Sequence, residues 1–403
     1  MRLTALKWTV AVLAFTLAGP AMGASCRNTE NFDKWLAEFK QEALAKGIAP
    51  QVLAAASPYM QYEQSIINRD RAQSVFNQSF LKFSDRMIAG YRMQNGVKQM
   101  KDHAALFRKI EKDFGVSTAM LTAFWGLESD FGKNTGKSNV FRAITTLAYD
   151  CRRPDYFRDQ LLDALRIVQR GDLRVEEMNG GAWAGELGAL QFTPSDYYKN
   201  AVDYDGDGKR NLIKSTPDTI ASGANFLKSL GWKPGEPWLQ EVRVPRNLPW
   251  DQADLTIQHP VSQWEAWGVR SAHGRLPAGG MKASLLLPMG RYGPAFLAYE
   301  NFHVLLGWNS SMVYVTTVAY FGTRLDGAPP VSRGDPDIEV LSIQQVKELQ
   351  TLLNKRGIDV GEVDGKVGAQ TRAGVKKAQM DTGLPADSYP TAELIARLRR
   401  SGG

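Results

Sequence analysis

Two cysteines and four histidines in 403 residues leave little material for several kinds of chemistry. His103, His259, His273 and His303 stand far apart and form no HExxH pair or other ligand spacing. A GxSxG nucleophile motif is missing, and so is any GxGxxG or Walker pattern, which argues against Ser–His chemistry and against phosphate binding. Cys26 and Cys151 are too distant in sequence to form a metal site by themselves. In an oxidising compartment the even pair reads as one disulfide tying the N-terminal arm to the body. The apolar run at residues 8–18 is too short for a membrane span. Nor do Lys and Arg cluster with aromatics densely enough for a nucleic-acid groove, so no nucleic acid is expected as a partner.

What is present suits a soluble, well-packed protein: 43% hydrophobic, 10% aromatic and 23% charged residues. The length predicts two domains with smaller appendages. Residues 1–23 read as a signal peptide. Arg2 and Lys7 precede the apolar run, Gly19-Pro20 breaks it, and Ala21-Met22-Gly23 supplies small residues for cleavage. Cys26 invites comparison with a lipoprotein, but Gly23 stands where a lipobox wants an aliphatic residue. Export to the periplasm without a lipid anchor is the expectation. Removing Arg2 and Lys7 lowers the formal charge from +7 to +5, which favours an anionic partner.

Residues 27–120 read as helical. Phe32, Trp35, Leu36 and Phe39 form an amphipathic stripe ended by Gly47. A second helix starts at Pro50, and a third runs from Gln73 through Phe76, Phe80 and Phe83 to Met87. Another covers 103–114, ended by Gly115, and Ser117 is the expected N-cap of the helix at 118–128. Helices follow at 141–148, 156–169, 219–230 and 305–321. Prolines, glycines and short β-prone runs at 241–244 and 283–287 predict a small antiparallel sheet in between. Residues 326–338 have the composition of a linker. Residues 339–401 form a small helical block with too little core to resemble an enzyme.

The centre of the chain is AFWGLESDFGK at 123–133. Glu128 is a carboxyl in a setting of Phe124, Trp125, Leu127 and Phe131. Such a carboxyl is poorly solvated as an anion. The C-terminal end of a helix disfavours its charge further, so its pKa should rise toward that of a general acid. Residues 179–195 hold a Gly-rich stretch whose backbone must be approached closely by a ligand or another segment. Asp203, Asp205 and Asp207 occupy positions 1, 3 and 5 of an EF-hand-like loop at 203–218, with Gly206 at position 6. Lys214 replaces the usual Glu at position 12, and Asp218 is the nearest later acid. A structural Ca²⁺ is the expected ligand, and no cofactor is required for the chemistry.

Together FWGLESDFG, CRRPDYF, AGELGALQFTPS and DYDGDGKRN stand in the order and spacing of the MltB-type lytic murein transglycosylases, which residues 27–325 resemble. The tail resembles a three-helix peptidoglycan-binding domain, with Asp364-Gly365, Gly368, Thr371, Arg372, Val375 and Gln379 in place. The resemblance implies a mainly α fold: a lysozyme-like α core with a helical arm and a small β subdomain, plus the three-helix module. It implies cleavage of the MurNAc–GlcNAc β-1,4 bond of peptidoglycan with 1,6-anhydro ends, and Glu128 as acid and then base. Gln191 and Phe192 should line the glycan groove near it, Arg152, Arg153 and Tyr156 should face the substrate, and Asn301 should lie near the cleavage point. Asp203, Asp205, Asp207 and Asp218 should hold the metal. Glycan strands are the implied partner, with other cell-wall enzymes as candidate partners.

Four residues depart from the family pattern. Phe83 and Trp308 stand for Tyr, Ala182 for Ser, and Glu186 for a small residue. Two alternatives stay open at this point: a hydrolytic muramidase with Asp130 or Glu186 holding a water, and a non-catalytic peptidoglycan-binding scaffold.

Overall fold

The computed structural model describes residues 31–400 apart from 72–77, 279, 336 and 337. The proposed leader, Cys26, and Gln73 and Phe76 of the third predicted helix lie outside these residues. Cys151 is disulfide-bonded.

Asn31 caps α1 (Phe32–Ala45) by accepting the Lys34 amide, and the Trp35, Phe39 and Ala43 stripe is buried. Then come α2 (Pro50–Ala56), α3 (Gln64–Arg71), α4 (Phe80–Met87), α5 (Gly90–Asp102) and α6 (Ala104–Phe114), the last ended by Gly115 in the left-handed region. The sequence pattern did not suggest α3 or α5. Each is mostly polar and has only two or three buried residues, so neither carries a clear apolar stripe. Ser117 caps α7 (Thr118–Ser129) through the Met120 amide, and every residue from Ala119 to Leu127 is buried.

β1 (Ser138–Asn139) leads into α8 (Val140–Tyr149) and α9 (Pro154–Arg170), which pack on each other. β2 (Asn179–Gly181) pairs antiparallel with β1 and draws the Gly-rich segment against α8. α10 (Pro194–Asn200) and α11 (Thr216–Ser229) follow. The predicted small sheet is antiparallel and five-stranded, in the order β4-β6-β7-β3-β5. Its strands are β3 (Leu239–Arg243), β4 (His259–Pro260), β5 (Arg270–Ser271), β6 (Lys282–Leu286) and β7 (Ala295–Ala298), with α12 (Val261–Ala266) beside β4. Ala295 of β7 faces Val242 of β3, which faces Ser271 of β5.

The helix expected over 305–321 is two helices, α13 (Glu300–Trp308) and α14 (Met312–Leu325). The Asn309 side chain accepts the Ser311 amide at 2.9 Å, an Asx turn that competes with helical hydrogen bonding. α14 returns to pack along α7, the most extensive contact of α7.

A Ser342–Gln345 capping box starts α15 (Ile343–Lys355). With α16 (Ala369–Asp381) and α17 (Ala392–Arg400) it encloses Leu349, Leu353, Val375, Leu394 and Ile395. This module is docked rather than tethered. Arg372 donates to the Leu287 carbonyl at 2.8 Å, Lys376 pairs with Asp254 at 3.1 Å, and Arg291 pairs with Asp387 at 3.2 Å. The connecting segment also lies on the body: Val331 is buried with its amide on the Tyr320 hydroxyl, and Arg333 pairs with Asp85.

Glycines of the 179–195 stretch serve close packing by other segments. A Cβ on Gly188, which has φ +76°, would lie 2.6 Å from the Leu212 carbonyl oxygen, and one on Gly185 would meet Ile144 of α8. Gly188→Ala therefore combines left-handed strain with a clash against backbone that cannot rotate away. It should cost about 2–4 kcal/mol, seen as a lower thermal unfolding midpoint.

Candidate active site

α7 delivers Glu128 to its last turn, and the chain then reverses sharply. Asp130 and Phe131 both have positive φ, and Ser129 Oγ accepts the Gly132 amide while donating to the Ala189 carbonyl. Glu128 is thereby held against the Gly-rich segment. Trp308 Nε1 donates to Glu128 Oε1 at 3.1 Å, and the Tyr314 hydroxyl donates to the same oxygen. Among the described residues nothing else bonds the carboxyl, so Oε2 is the oxygen left to carry a transferable proton. Trp308 is fixed by Phe124, stacked at 4.0 Å, and by Phe192 and Phe226 at 5.3 and 5.2 Å. Where the family pattern has a Tyr, the indole N–H thus supplies a donor.

An edge of Glu128 remains accessible, but protein atoms crowd its carboxyl. This burial pushes its pKa up to about 7. The Tyr314 and Trp308 donors pull it down, and the charge of Glu186 adds to the rise. A carboxyl in this range can act both as acid and as base near neutral pH.

A cleft of about 880 Å³ reaches the turn that separates Trp308 from Tyr314, the two donors to Glu128. Its walls include Trp183, Tyr156, Arg69, Arg153 and Glu186, the 309–313 turn next to Trp308 and Tyr314, and residues of the C-terminal module such as Lys366. Tyr156 is 45% exposed, a flat surface on which a sugar ring can stack.

Of the six substrate-facing residues expected from sequence, Arg153 and Tyr156 line this cleft. The other four are not among its lining residues. Arg152 donates to the Asp70 carboxylate at 2.7 Å and serves a buried acid whose other partners are Arg71 and Arg153. Gln191 spends its amide on the Thr135 and Gly188 carbonyls, closing the loop. Phe192 is 2% exposed and backs Trp308, away from solvent. Asn301 is fully buried. It donates to the Lys233 and Glu236 carbonyls and accepts the Lys233 amide, so it holds a loop together. Asn301, with every polar side-chain atom spent inside the protein, has nothing left for a glycan. Tyr314, Trp183 and Arg69 were missed, because only folding brings them to Glu128 or to the cleft.

Asp130 is also accounted for. Partial burial works to raise its pKa, but Asn134 and Arg92 hold it below the usual range. Arg92 Nε lies 2.7 Å from Oδ1 and Asn134 Nδ2 lies 2.9 Å from Oδ2. Both oxygens are engaged by protein donors.

In the acidic loop, oxygens of Asp203, Asp205 and Asp218 come within 4.8 Å of one another. No Lys or Arg of the described residues pairs with any of the three. Lys214 pairs with Glu177 at 2.6 Å, and Arg210 pairs with Asp172. Burial of Asp218, with the nearby Asp205 charge, raises its pKa. Three converging carboxylates without a counter-charge fit a hard cation. Asp207 lies outside this cluster, and its Oδ1 accepts the Lys209 amide. Among the described residues, no helix is long and apolar enough to cross a membrane.

Because Glu128 holds its proton more tightly when folded than when unfolded, stability is lost as pH rises from the ordinary 4.5 through about 7. Glu128→Gln carries no such cost. Its unfolding midpoint should exceed that of the parent protein at pH 8, by up to about 3 kcal/mol of stability, with the gap closing toward pH 4. Thermal melts across pH measure this.

Residues 31–323 match the Transglycosylase SLT domain family, and residues 342–398 match the Putative peptidoglycan binding domain family. Among solved structures, SltB3 from Pseudomonas aeruginosa in complex with NAG-anhNAM-pentapeptide is 39% identical. The match covers 92% of this chain and 100% of that one, with a TM-score of 0.85. Escherichia coli Slt35 in complex with calcium is 26% identical, covering 76% of this chain and 95% of that one, with a TM-score of 0.63. Membrane-bound lytic murein transglycosylase B of Escherichia coli (strain K12) is 29% identical over 252 residues, 61% of this chain and 67% of its own. With an enclosed acid in the last turn of a buried helix and both domains matched, the chain belongs to the SLT-domain lytic murein transglycosylases of the MltB/SltB type, with a peptidoglycan-binding domain at its C-terminal end.

Proposed function

We propose that Glu128 alone carries both proton transfers of a non-hydrolytic cleavage of the MurNAc–GlcNAc bond. The observation that carries this reading is the asymmetry of its carboxyl, with both donors on Oε1 and the apparent acid strength near neutral. Protonated at Oε2, it gives its proton to the glycosidic oxygen. The C1–O bond then breaks, and the GlcNAc 4-hydroxyl departs. The resulting carboxylate, steadied by the Trp308 and Tyr314 donors, takes the proton of the muramoyl C6 hydroxyl as O6 attacks C1. A 1,6-anhydro ring closes, no water is consumed, and Glu128 regains its proton.

Trp183 and Tyr156 offer stacking faces for the sugar rings, while Arg69 and Arg153 offer charge for the carboxylates of peptide stems. The C-terminal module lines the same cleft and would grip the same strand. We place this work in the periplasm, where the wall lies and where Cys151 can keep its disulfide.

Mass spectrometry of peptidoglycan digested by the protein should show muropeptides ending in 1,6-anhydro-muramic acid, and Glu128→Gln should solubilise none. Dominant reducing-end muramic acid would instead favour a hydrolase with Glu186 holding water.

Asp203, Asp205 and Asp218 are assigned to a structural Ca²⁺ that ties the 203–215 loop to the start of α11. Millimolar Ca²⁺ should raise the unfolding midpoint by a few degrees over the chelated protein. Asp218→Asn should abolish that difference, whereas Asp207→Asn should leave it nearly intact.

A further inference from the structure

Glu186 and Thr316 carry polar atoms that the chemistry above does not use. Among the described residues, four buried side-chain oxygens lack a hydrogen-bond partner. Two of them, Glu186 Oε2 and Thr316 Oγ1, belong to residues that line the same cleft. A buried oxygen without a partner costs stability, so a pair of them in one cleft calls for a ligand that completes them.

Local structure explains why neither atom is spent. Thr316 lies on α14, where the next residue, Thr317, gives its hydroxyl to the Val313 carbonyl at 2.7 Å. Thr323 of the same helix bonds the Tyr320 carbonyl at 2.7 Å. Thr316 makes no such bond back into the helix. Glu186 stands in a tight turn, where its carbonyl accepts the Ala182 amide at 2.8 Å and Gly185 lies against Ile144 of α8. The Ala184 amide and its own amide bond the Glu186 carboxyl, which leaves Oε2 over. Each oxygen is shielded from water although its residue lines the cleft, and rotation about one side-chain bond presents it to a ligand.

The rest of the lining narrows the class of ligand. Arg69 and Arg153 from the body, with Lys366 and Arg372 from the C-terminal module, set four cations against one acid, Glu186. Arg153 is steadied by Asp70 at 3.0 Å, and Arg69 lies over the Trp183 ring. A neutral sugar gives such a cleft no counter-charge. A peptide brings carboxylates for the cations, N–H groups for an unspent acceptor and C=O groups for an unspent hydroxyl.

We propose that Glu186 and Thr316 are specificity-determining residues that select glycan strands carrying peptide stems: Glu186 Oε2 accepts a stem N–H, and the Thr316 hydroxyl donates to a stem carbonyl. The Arg and Lys side chains hold the stem carboxylates. This inference rests on the cleft being the substrate site, and it assigns Glu186 a task other than holding water.

The test is isothermal titration calorimetry in the Glu128→Gln protein, where no chemistry intervenes. The ligands are GlcNAc–MurNAc–tetrapeptide and the same disaccharide without its peptide. Glu186→Gln keeps an oxygen for the two amides and puts a donor in place of Oε2. Thr316→Val removes the hydroxyl at nearly constant shape. Each, added to Glu128→Gln, should weaken the peptide-bearing ligand roughly 5–10-fold and leave the peptide-free ligand unchanged. Thr316→Val should also melt at or above its parent, because an unsatisfied buried group is gone. Unchanged affinity for the peptide-bearing ligand in either variant, or equal losses for the two ligands, would overturn the proposal. Tyr156→Ala separates it from the reading of the cleft itself. A loss there with none in the other two sinks this inference alone, whereas no loss in any variant sinks the cleft reading as well.

Discussion

The chemistry proposed for this protein depends on one carboxyl crowded between two helices. α7 is buried almost all round, so the Glu128 carboxyl in its last turn is crowded by protein atoms. α14 lies against α7 and brings Tyr314, while the end of α13 brings Trp308. The two donors satisfy one oxygen and partly offset the desolvation that burial imposes. Without them the acid would lose its proton less readily. Without the burial it would be an ordinary carboxylate, ionised at neutral pH and useless for protonating a glycosidic oxygen.

The remaining architecture supports that enclosure. The Asx turn at 309–311 stops α13 so that α14 can run back along α7, and it also forms part of the cleft wall. The Gly-rich segment fits tightly against α8 and the Leu212 backbone, which places Glu186 at the cleft and Ala189 under Ser129. The aromatic box of Phe124, Phe192 and Phe226 fixes the indole whose N–H meets the acid. Residues that look like binding groups in a motif can therefore be the frame around one. Phe192, Gln191 and Asn301 hold the loops and rings that aim the groups in contact with Glu128.

Docking of the C-terminal module adds a further wall. Arg372, Lys376 and Asp387 tie it to the sheet-bearing part of the body, and the segment at 331–335 is pinned to Tyr320, Glu241 and Asp85. Its composition of Pro, Gly and Asp reads as a linker. Sequence composition reports how little core a segment carries, not whether single side chains anchor it. The same limit hid α3 and α5, whose stability comes from a few contacts rather than from a stripe.

From the sequence alone came the acid itself, because an apolar helix with one carboxyl near its end and a Ser cap at its start is a local pattern. So did most helix boundaries, which follow from caps and left-handed glycines, and the acidic loop, whose spacing is written in consecutive residues. The order of motifs was enough to assign the family. Tertiary structure decided which side chains meet. Glu128 and Tyr314 are 186 residues apart, Arg152 pairs with the distant Asp70, and Asp207 stands outside the three converging carboxylates. Hydrogen-bond capacity is spent only once, and which partner consumes it depends on distances that no linear spacing encodes.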